Sequence, residues 1–280
     1  MDSTASALRH SGTASGTTMS DRPNRFVFVA GLHRTGTSLT ARLIAAHPHV
    51  SAIRGSGAPE DEGCYLQGAI PHDRTHGIPG EWATDPAQRH DEASALNTLE
   101  TRNRLLADWS PWFDADKPWW LEKSPVNLTR MRLLQQLLPM AHFIVVLRHP
   151  QAMAAALAKW SERSAGDLID YALDAYEQAE RDAAHLHHVM LMRYEDLVTA
   201  PQETNAALHR FLALEPVATD LSIRDGNSEY DLSGSITEFQ AERMARWGYA
   251  AGGGVAASDL TLHHPLRAVR ERVSAAITKC

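Results

Sequence analysis

The stretch RFVFVAGLHRTGTSLTARLIAAHP, Arg25 to Pro48, decides how this chain folds. Phe26-Val27-Phe28-Val29-Ala30 is an apolar run too short for a typical helix and rich in residues that suit a pleated buried surface, so it reads as a central parallel strand. A helix follows, because Leu39, Arg42, Leu43 and Ala46 recur at helical spacing and Pro48 marks its end. Between them lies Gly31-Leu32-His33-Arg34-Thr35-Gly36-Thr37-Ser38. Two glycines let this backbone turn, and successive N–H groups can converge on an anion at the helix N-terminus. The stretch therefore predicts a phosphate cradle in an α/β fold, a P-loop-like central parallel sheet flanked by helices.

The glycine spacing is that of a P-loop, G-x-x-x-x-G-K-[ST], but Thr37 stands where a nucleotide kinase carries its phosphate-binding Lys. The cation is displaced to Arg34. A guanidinium there can fork onto phosphate or sulfate oxygens, and Thr37 and Ser38 add hydroxyl donors. The bland alternative is a glycine-rich βα turn carrying surface polar residues.

Outward from this core, 280 residues with 44% hydrophobic and 22% charged content suffice for one large α/β domain. A net charge of -7 argues against non-specific nucleic-acid binding, while Arg34, Lys123 and Arg148 can still make a local basic pocket. Cys64 and Cys280 give neither a disulfide framework nor zinc spacing, consistent with a reducing, cytoplasmic setting. No apolar run approaches the roughly 20 residues of a membrane span, and the N-terminus lacks the apolar core of a secretion signal. Residues 1–24, rich in Ser, Thr, Ala and Gly, read as a disordered leader.

Downstream of the cradle, His49 to Ile53 reads as a short strand leading into an acidic turn, Gly55 to Gly63, that holds Glu60, Asp61 and Glu62. Crowded carboxylates resist ionising together, so a partly buried one rises towards a base-competent pKa; a solvated acidic loop is the alternative. His72, His76 and His90 show no H-x-x-x-H or H-E-x-x-H pairing and read as loop rather than metal ligands. Residues 91–109 look helical, with Ala95, Leu99, Leu105 and Leu106 as the inner set. Trp109, Trp112, Phe113, Trp119 and Trp120 form either core or an acceptor-binding wall.

Trp119 to Glu122 is a short strand that puts Lys123 near its carboxyl end, where open α/β sheets gather their ligands, and Leu128 to Leu138 reads as the helix after it. His142 to Leu147 is a buried strand terminated by Arg148, with Pro150 in the first turn of a helix running to about Trp160, so Arg148 suits a second phosphate. Asp167 to His188 predicts an amphipathic helix, and Val189 to Arg193 another strand. Tyr194, at that strand's end, is either a plate for a purine ring or a packed tyrosine with its hydroxyl satisfied. Residues 222–235 read as a polar loop capping a nucleotide, Glu238 to Trp247 as a helix, and the domain as ending near residue 250. Beyond it, in 251–280, Gly252-Gly253-Gly254 reads as a linker, and Pro265 to Thr278 as a helix docking on the domain or on a second subunit of a homodimer.

These motifs carry a resemblance: the chain looks like a sulfotransferase that uses 3′-phosphoadenosine 5′-phosphosulfate (PAPS), in the manner of a bacterial member of the carbohydrate and tyrosylprotein branches. Arg34-Thr35-Gly36-Thr37-Ser38 is similar to the family's 5′-phosphosulfate loop, R-[ST]-G-T-[ST]. Arg148-His149-Pro150 resembles the start of its 3′-phosphate motif, Tyr194-Glu195-Asp196-Leu197 its adenine-side motif, and Glu122-Lys123-Ser124-Pro125 the lysine turn of those two branches. The matches follow the family's order from Arg25 to Leu212. Two positions depart from it. The family's Ser eight residues after the motif arginine is Ala156 here, with Lys159 or Ser161 as substitutes, and Pro125 stands where the cytosolic branch places a catalytic His.

The resemblance implies metal-free, in-line sulfuryl transfer to a hydroxyl of a small-molecule or carbohydrate acceptor, leaving 3′-phosphoadenosine 5′-phosphate (PAP). Glu62 then takes the acceptor proton, with Glu60 the second choice, and Lys123 and Arg34 stabilise the moving sulfuryl. Backbone N–H groups from Thr35 to Ser38 hold the 5′-phosphate, and Arg148 and Tyr194 the rest of the nucleotide. A P-loop kinase, or a nucleotide-binding protein without activity, is the rival reading.

Overall fold

The computed structural model describes residues 24–72, 78–218, 220, 222–257 and 261–264. The expected leader up to residue 23, His76 and the terminal helix from Pro265 lie outside the described residues.

The chain opens with β1 (Arg25–Gly31), α1 (Thr37–Ala45) and β2 (Val50–Ala52), then α2 (Leu99–Trp109), β3 (Trp119–Lys123), α3 (Met131–Leu137) and β4 (His142–Leu147). It continues through α4 (Pro150–Leu157), α5 (Ala165–Ala183), β5 (Val189–Arg193), α6 (Tyr194–Thr199) and α7 (Pro201–Phe211). Last come α8 (Glu238–Ala245), β6 (Tyr249–Ala250), β7 (Gly254–Val255) and β8 (Thr261–His263). The main sheet has the order β2-β3-β1-β4-β5-β8, parallel except for β8, which runs antiparallel on β5. The α/β architecture with a central, mostly parallel sheet is thus as the sequence predicted.

Strand alternation sorts the core. Phe26, Phe28 and Ala30 point to one face, where α2, α3, α4 and α5 pack. Val27 and Val29 point to the other, against α1, α6 and α7. From β1 the chain first goes out to β2 and β3, then crosses to β4 on the opposite side, so the order reverses at β1. Ligands of open sheets bind outside the carboxyl ends at such a reversal. Register places Lys123 beside Val29, Val146 beside Gly31 and Arg193 beside Leu147, so the ends of β3, β1, β4 and β5 form one row.

Several expectations need correcting. The helix expected over 91–109 starts only at Leu99, because the Thr98 side chain accepts the Thr101 N–H as a cap, and Leu99 is exposed rather than inner. The helix expected over 128–138 is a 3-10 turn, Pro125–Thr129, followed by α3. The aromatic cluster is core except for the exposed Trp112: Trp109, Phe113 and Trp120 pack on Phe26 at the start of β1, away from the strand ends that form the site. Gly252 to Gly254, expected as a linker, makes the turn and start of a β6–β7 hairpin, with the Gly252 N–H donating to Gln151 Oε1. Among the described residues no helix is long and apolar enough to cross a membrane.

Candidate active site

The cradle forms because its two glycines cannot be anything larger. A Cβ on Gly31 would lie 2.7 Å from the Val146 carbonyl oxygen, and one on Gly36 would lie 2.7 Å from the Tyr194 ring. Gly36 also has φ 100°, which L side chains resist. The turn carries strain as well, with Arg34 at φ 68°. Thr35 turns inward: both its N–H and its hydroxyl donate to the Leu32 carbonyl, so it is spent on the loop rather than offered to an anion. No side chain caps α1, and the first N–H groups of a helix have no partner within it. Gly36, Thr37 and Ser38 thus begin a helix whose positive end faces the row of strand ends.

A cavity of about 650 Å³ opens over this helix start, lined by residues that include Arg34, Gly36, Thr37, Ser38, Glu62, Arg148, Tyr194 and Tyr230. Arg148 is buried and held by three neighbours. Its Nε donates to Asn227 Oδ1 at 2.7 Å, its Nη1 donates to the Arg34 carbonyl at 2.6 Å, and its guanidinium lies 4.7 Å from the Tyr194 ring centre. Its Nη2 is buried with no hydrogen-bond partner among the described residues. A buried guanidinium nitrogen left without an acceptor is costly, and an anion in this cavity would satisfy it. Arg34 is exposed, with its guanidinium 5.4 Å from the Trp160 ring centre across the same cavity.

Tyr194 takes the packed form rather than that of a free plate. Its ring lies between Gly36 and Arg148, and its hydroxyl donates to the Arg224 carbonyl and accepts from the Gly226 N–H. It therefore pins the 222–235 loop, whose Gly226, Glu229 and Tyr230 line the cavity. Ala156 is buried, and Lys159 reaches the Tyr230 ring at 5.9 Å, whereas Ser161 lies against Gly80.

The acidic turn assigns its carboxylates three different jobs. Asp61 accepts from the Ser56 hydroxyl and from the Ser56 and Gly55 N–H groups, which close the loop and hold its carboxyl below the ordinary value. Glu60 is exposed and accepts from the Ser38 hydroxyl at 3.2 Å. Glu62 is buried, and Lys123 Nζ donates to its Oε1 at 3.0 Å. Burial raises the Glu62 pKa, and the Lys123 charge offsets only part of that rise. The three acids were alike in the sequence; backbone placement separates them.

Two residues to which the sequence assigns no such task, Glu122 and Trp109, hold this pair in place. Glu122, fully buried, accepts from the Gly63 N–H at 2.9 Å, from the Ser124 hydroxyl and from Asn127 Nδ2. Trp109 Nε1 donates to the Gly63 carbonyl at 2.8 Å, so Gly63 is clamped from both sides and Glu62 with it. A third, His33, lines the cavity from within the glycine loop. Trp82 Nε1 donates to its Nδ1, leaving its proton on Nε2, and burial with the nearby Lys123 charge lowers its pKa to about 4. It is a neutral donor. Glu195, beside Tyr194, accepts from Asn227 Nδ2 and thereby fixes the partner of Arg148. Of the loop histidines, His72 approaches the Cys64 sulfur at 3.7 Å, and His90 contacts Ser94 outside the cavity.

A second cavity of about 820 Å³ lies on the other side of Ser38 and Glu60 and reaches Lys123. Its walls mix apolar surface from Ala41, Ala45, Ile53 and Leu121 with the charged side chains of Arg42, Arg54 and Asp61.

Residues 26–219 match the model of a family described as the sulfotransferase family. Among solved structures, the chain is similar to a sulfotransferase from Mycobacterium tuberculosis H37Rv, with 18% identity over 80% of this chain and 77% of that one and a TM-score of 0.47. It is also similar to a sulfotransferase from Alicyclobacillus acidocaldarius, with 15% identity over 81% and 95% of the two chains and a TM-score of 0.46. No curated protein matches it.

Proposed function

The chain belongs to the sulfotransferase family, and from that premise we propose that it draws on PAPS and delivers the sulfuryl group to a hydroxyl of a small-molecule or carbohydrate acceptor. One observation carries this reading: a buried Glu62–Lys123 pair, 3.0 Å apart, beside an uncapped helix start and between two cavities.

The donor fits the cavity that holds Arg148. Its 5′ end carries negative charge for the N–H groups of Gly36 to Ser38 and for Arg34, and its 3′-phosphate supplies the acceptor that Arg148 Nη2 lacks. PAPS contributes an activated sulfuryl group and leaves as PAP. Lys123 and the His33 Nε2–H are donors placed for oxygens that gain charge during transfer. The acceptor enters through the second cavity, whose size is ordinary for a small-molecule site. Glu62 takes the hydroxyl proton as the acceptor oxygen bonds to sulfur and the sulfur–phosphate oxygen bond breaks. The free, buried thiol of Cys64 is in keeping with a reducing compartment such as the cytosol.

Incubation with sulfur-labelled PAPS and a panel of alcohols, phenols and sugars tests the reading. Label should move to a hydroxyl, and excess chelator should leave the rate unchanged. Transfer only to amines, or phosphate transfer from ATP with Mg²⁺, would overturn it.

A further inference from the structure

At the end of the sheet opposite the cradle, three histidines distant in sequence come together. His142 opens β4, His188 directly precedes β5 and His264 directly follows β8. Because β8 runs back along β5, with His263 opposite Val189, its end returns to the corner where β4 and β5 begin. One ring nitrogen from each of the three histidines lies within 4.8 Å of the other two. We propose that His142, His188 and His264 bind a divalent transition-metal ion of the zinc, cobalt or nickel class, and that this ion ties β8 to the parallel sheet.

The chemistry of the corner favours a metal over simple ring packing. The His142 Nδ1 lies 3.3 Å from the Met140 carbonyl, which keeps that nitrogen protonated and leaves the lone pair on Nε2. Carbonyl-backed histidines of this kind are the usual form of metal-binding imidazoles. The His188 Nδ1 is buried with no hydrogen-bond partner among the described residues. The surroundings are aromatic, with Trp119 and Phe211 edge-on to His142.

Arg25, stacked on Trp119, is the nearby charge, and it works against any cation. Among the described residues the cluster offers imidazole nitrogen alone, which selects borderline transition metals over calcium or magnesium. Metal–nitrogen bonds of about 2.0–2.1 Å require nitrogens roughly 3.3 Å apart, so the rings must close from their present spread. His142 and His188 are now stacked at 4.1 Å. His188 and His264 are only partly buried and sit at strand ends, where a side-chain rotation brings about that closure. Water completes the fourth position.

Titration of the full-length, tag-free protein with Co²⁺, followed by its visible absorption and by thermal melting with Zn²⁺, tests the site. The proposal expects one equivalent bound with a tetrahedral cobalt spectrum, displacement by Zn²⁺, and a melting temperature raised by roughly 5 °C at hundredfold excess over Kd. His264→Ala and His188→Gln should each lose the spectrum and the shift, while sulfuryl transfer stays within about twofold of wild type. No spectrum in the wild-type protein, or a spectrum that survives in both variants, would overturn the proposal. So would its loss in His47→Ala alone, which would place the ion at the separate His47–His209 contact.

Discussion

Lys123 donates to Glu62 across 3.0 Å, from the end of β3 to the acidic turn, and the two side chains are only 7% and 11% exposed. A buried pair of this kind is poor evidence for stability, since two charges have left water to make it. Its consequence is chemical. Burial raises Glu62 as a base, and Lys123 pulls it back. In the proposed reaction, the negative charge of the donor competes for Lys123, and each contact that Lys123 gives up strengthens Glu62 as a proton acceptor.

The pH dependence follows from that direction. The base must be ionised, and burial raises its pKa above the ordinary value, so turnover should be full at high pH and fall as pH drops through the raised value. The same shift costs stability. Between the ordinary and raised values the folded chain keeps a proton that the unfolded chain has lost, so stability declines as pH rises through that window and is level above it. A pH–rate profile measured well below Km checks the first point. A limb at the ordinary carboxylate value near 4.3 would contradict it.

Nucleotide affinity should depend on Arg148 and, through it, on Asn227. Arg148→Ala should weaken PAP binding by about 1.5–3 kcal/mol, the range for hydrogen bonds to charged groups. Asn227→Ala removes the acceptor that aligns Arg148 Nε and should cost about 1 kcal/mol. Calorimetric titration with PAP measures both. Unchanged affinity in Arg148→Ala, with a wild-type melting curve, would remove Arg148 from the donor site.

Gly63 provides a purely steric test of how the base is placed. A Cβ there would sit 2.6 Å from Glu122 Cγ, inside the clamp that fixes Glu62. Gly63→Ala should lower stability by roughly 1–3 kcal/mol, as overpacking does, and lower kcat with little change in PAP affinity. Denaturant melts and steady-state kinetics on one preparation separate the two effects. An unaltered kcat would mean that Glu62 does not depend on this clamp.

The local signals in the sequence carried most of the fold and part of the site. The apolar runs of β1 and β4 and the glycine pair around Arg34 are local patterns, and they sufficed for a parallel sheet with its cradle. The strand-end positions of Lys123 and Arg148 followed from the same runs. What escaped depends on distant contacts. Nothing near Trp109 in sequence reveals that its indole N–H holds Gly63, nor anything near Glu122 that the Gly63 N–H, 59 residues away, closes on its carboxylate. The Thr35 backbone N–H looks like a phosphate donor until it is found, with the Thr35 hydroxyl, on the Leu32 carbonyl. The aromatic cluster went undecided because composition cannot tell which end of a strand a side chain occupies.

Single-turnover sulfuryl transfer by Glu62→Gln, beside Glu60→Gln and wild type, tests the central claim most directly. The substitution keeps the shape of Glu62 and removes its basicity. The account predicts that Glu62→Gln lowers the transfer rate by about 10²–10⁴-fold, the usual size of a general-base contribution, with PAP affinity nearly unchanged. Glu60→Gln, which alters an exposed partner of Ser38 at the edge of both cavities and leaves the Glu62–Lys123 pair in place, should stay near wild type. Near-wild-type transfer to an alcohol by Glu62→Gln would contradict the account, and loss in Glu60→Gln alone would move the base to that residue.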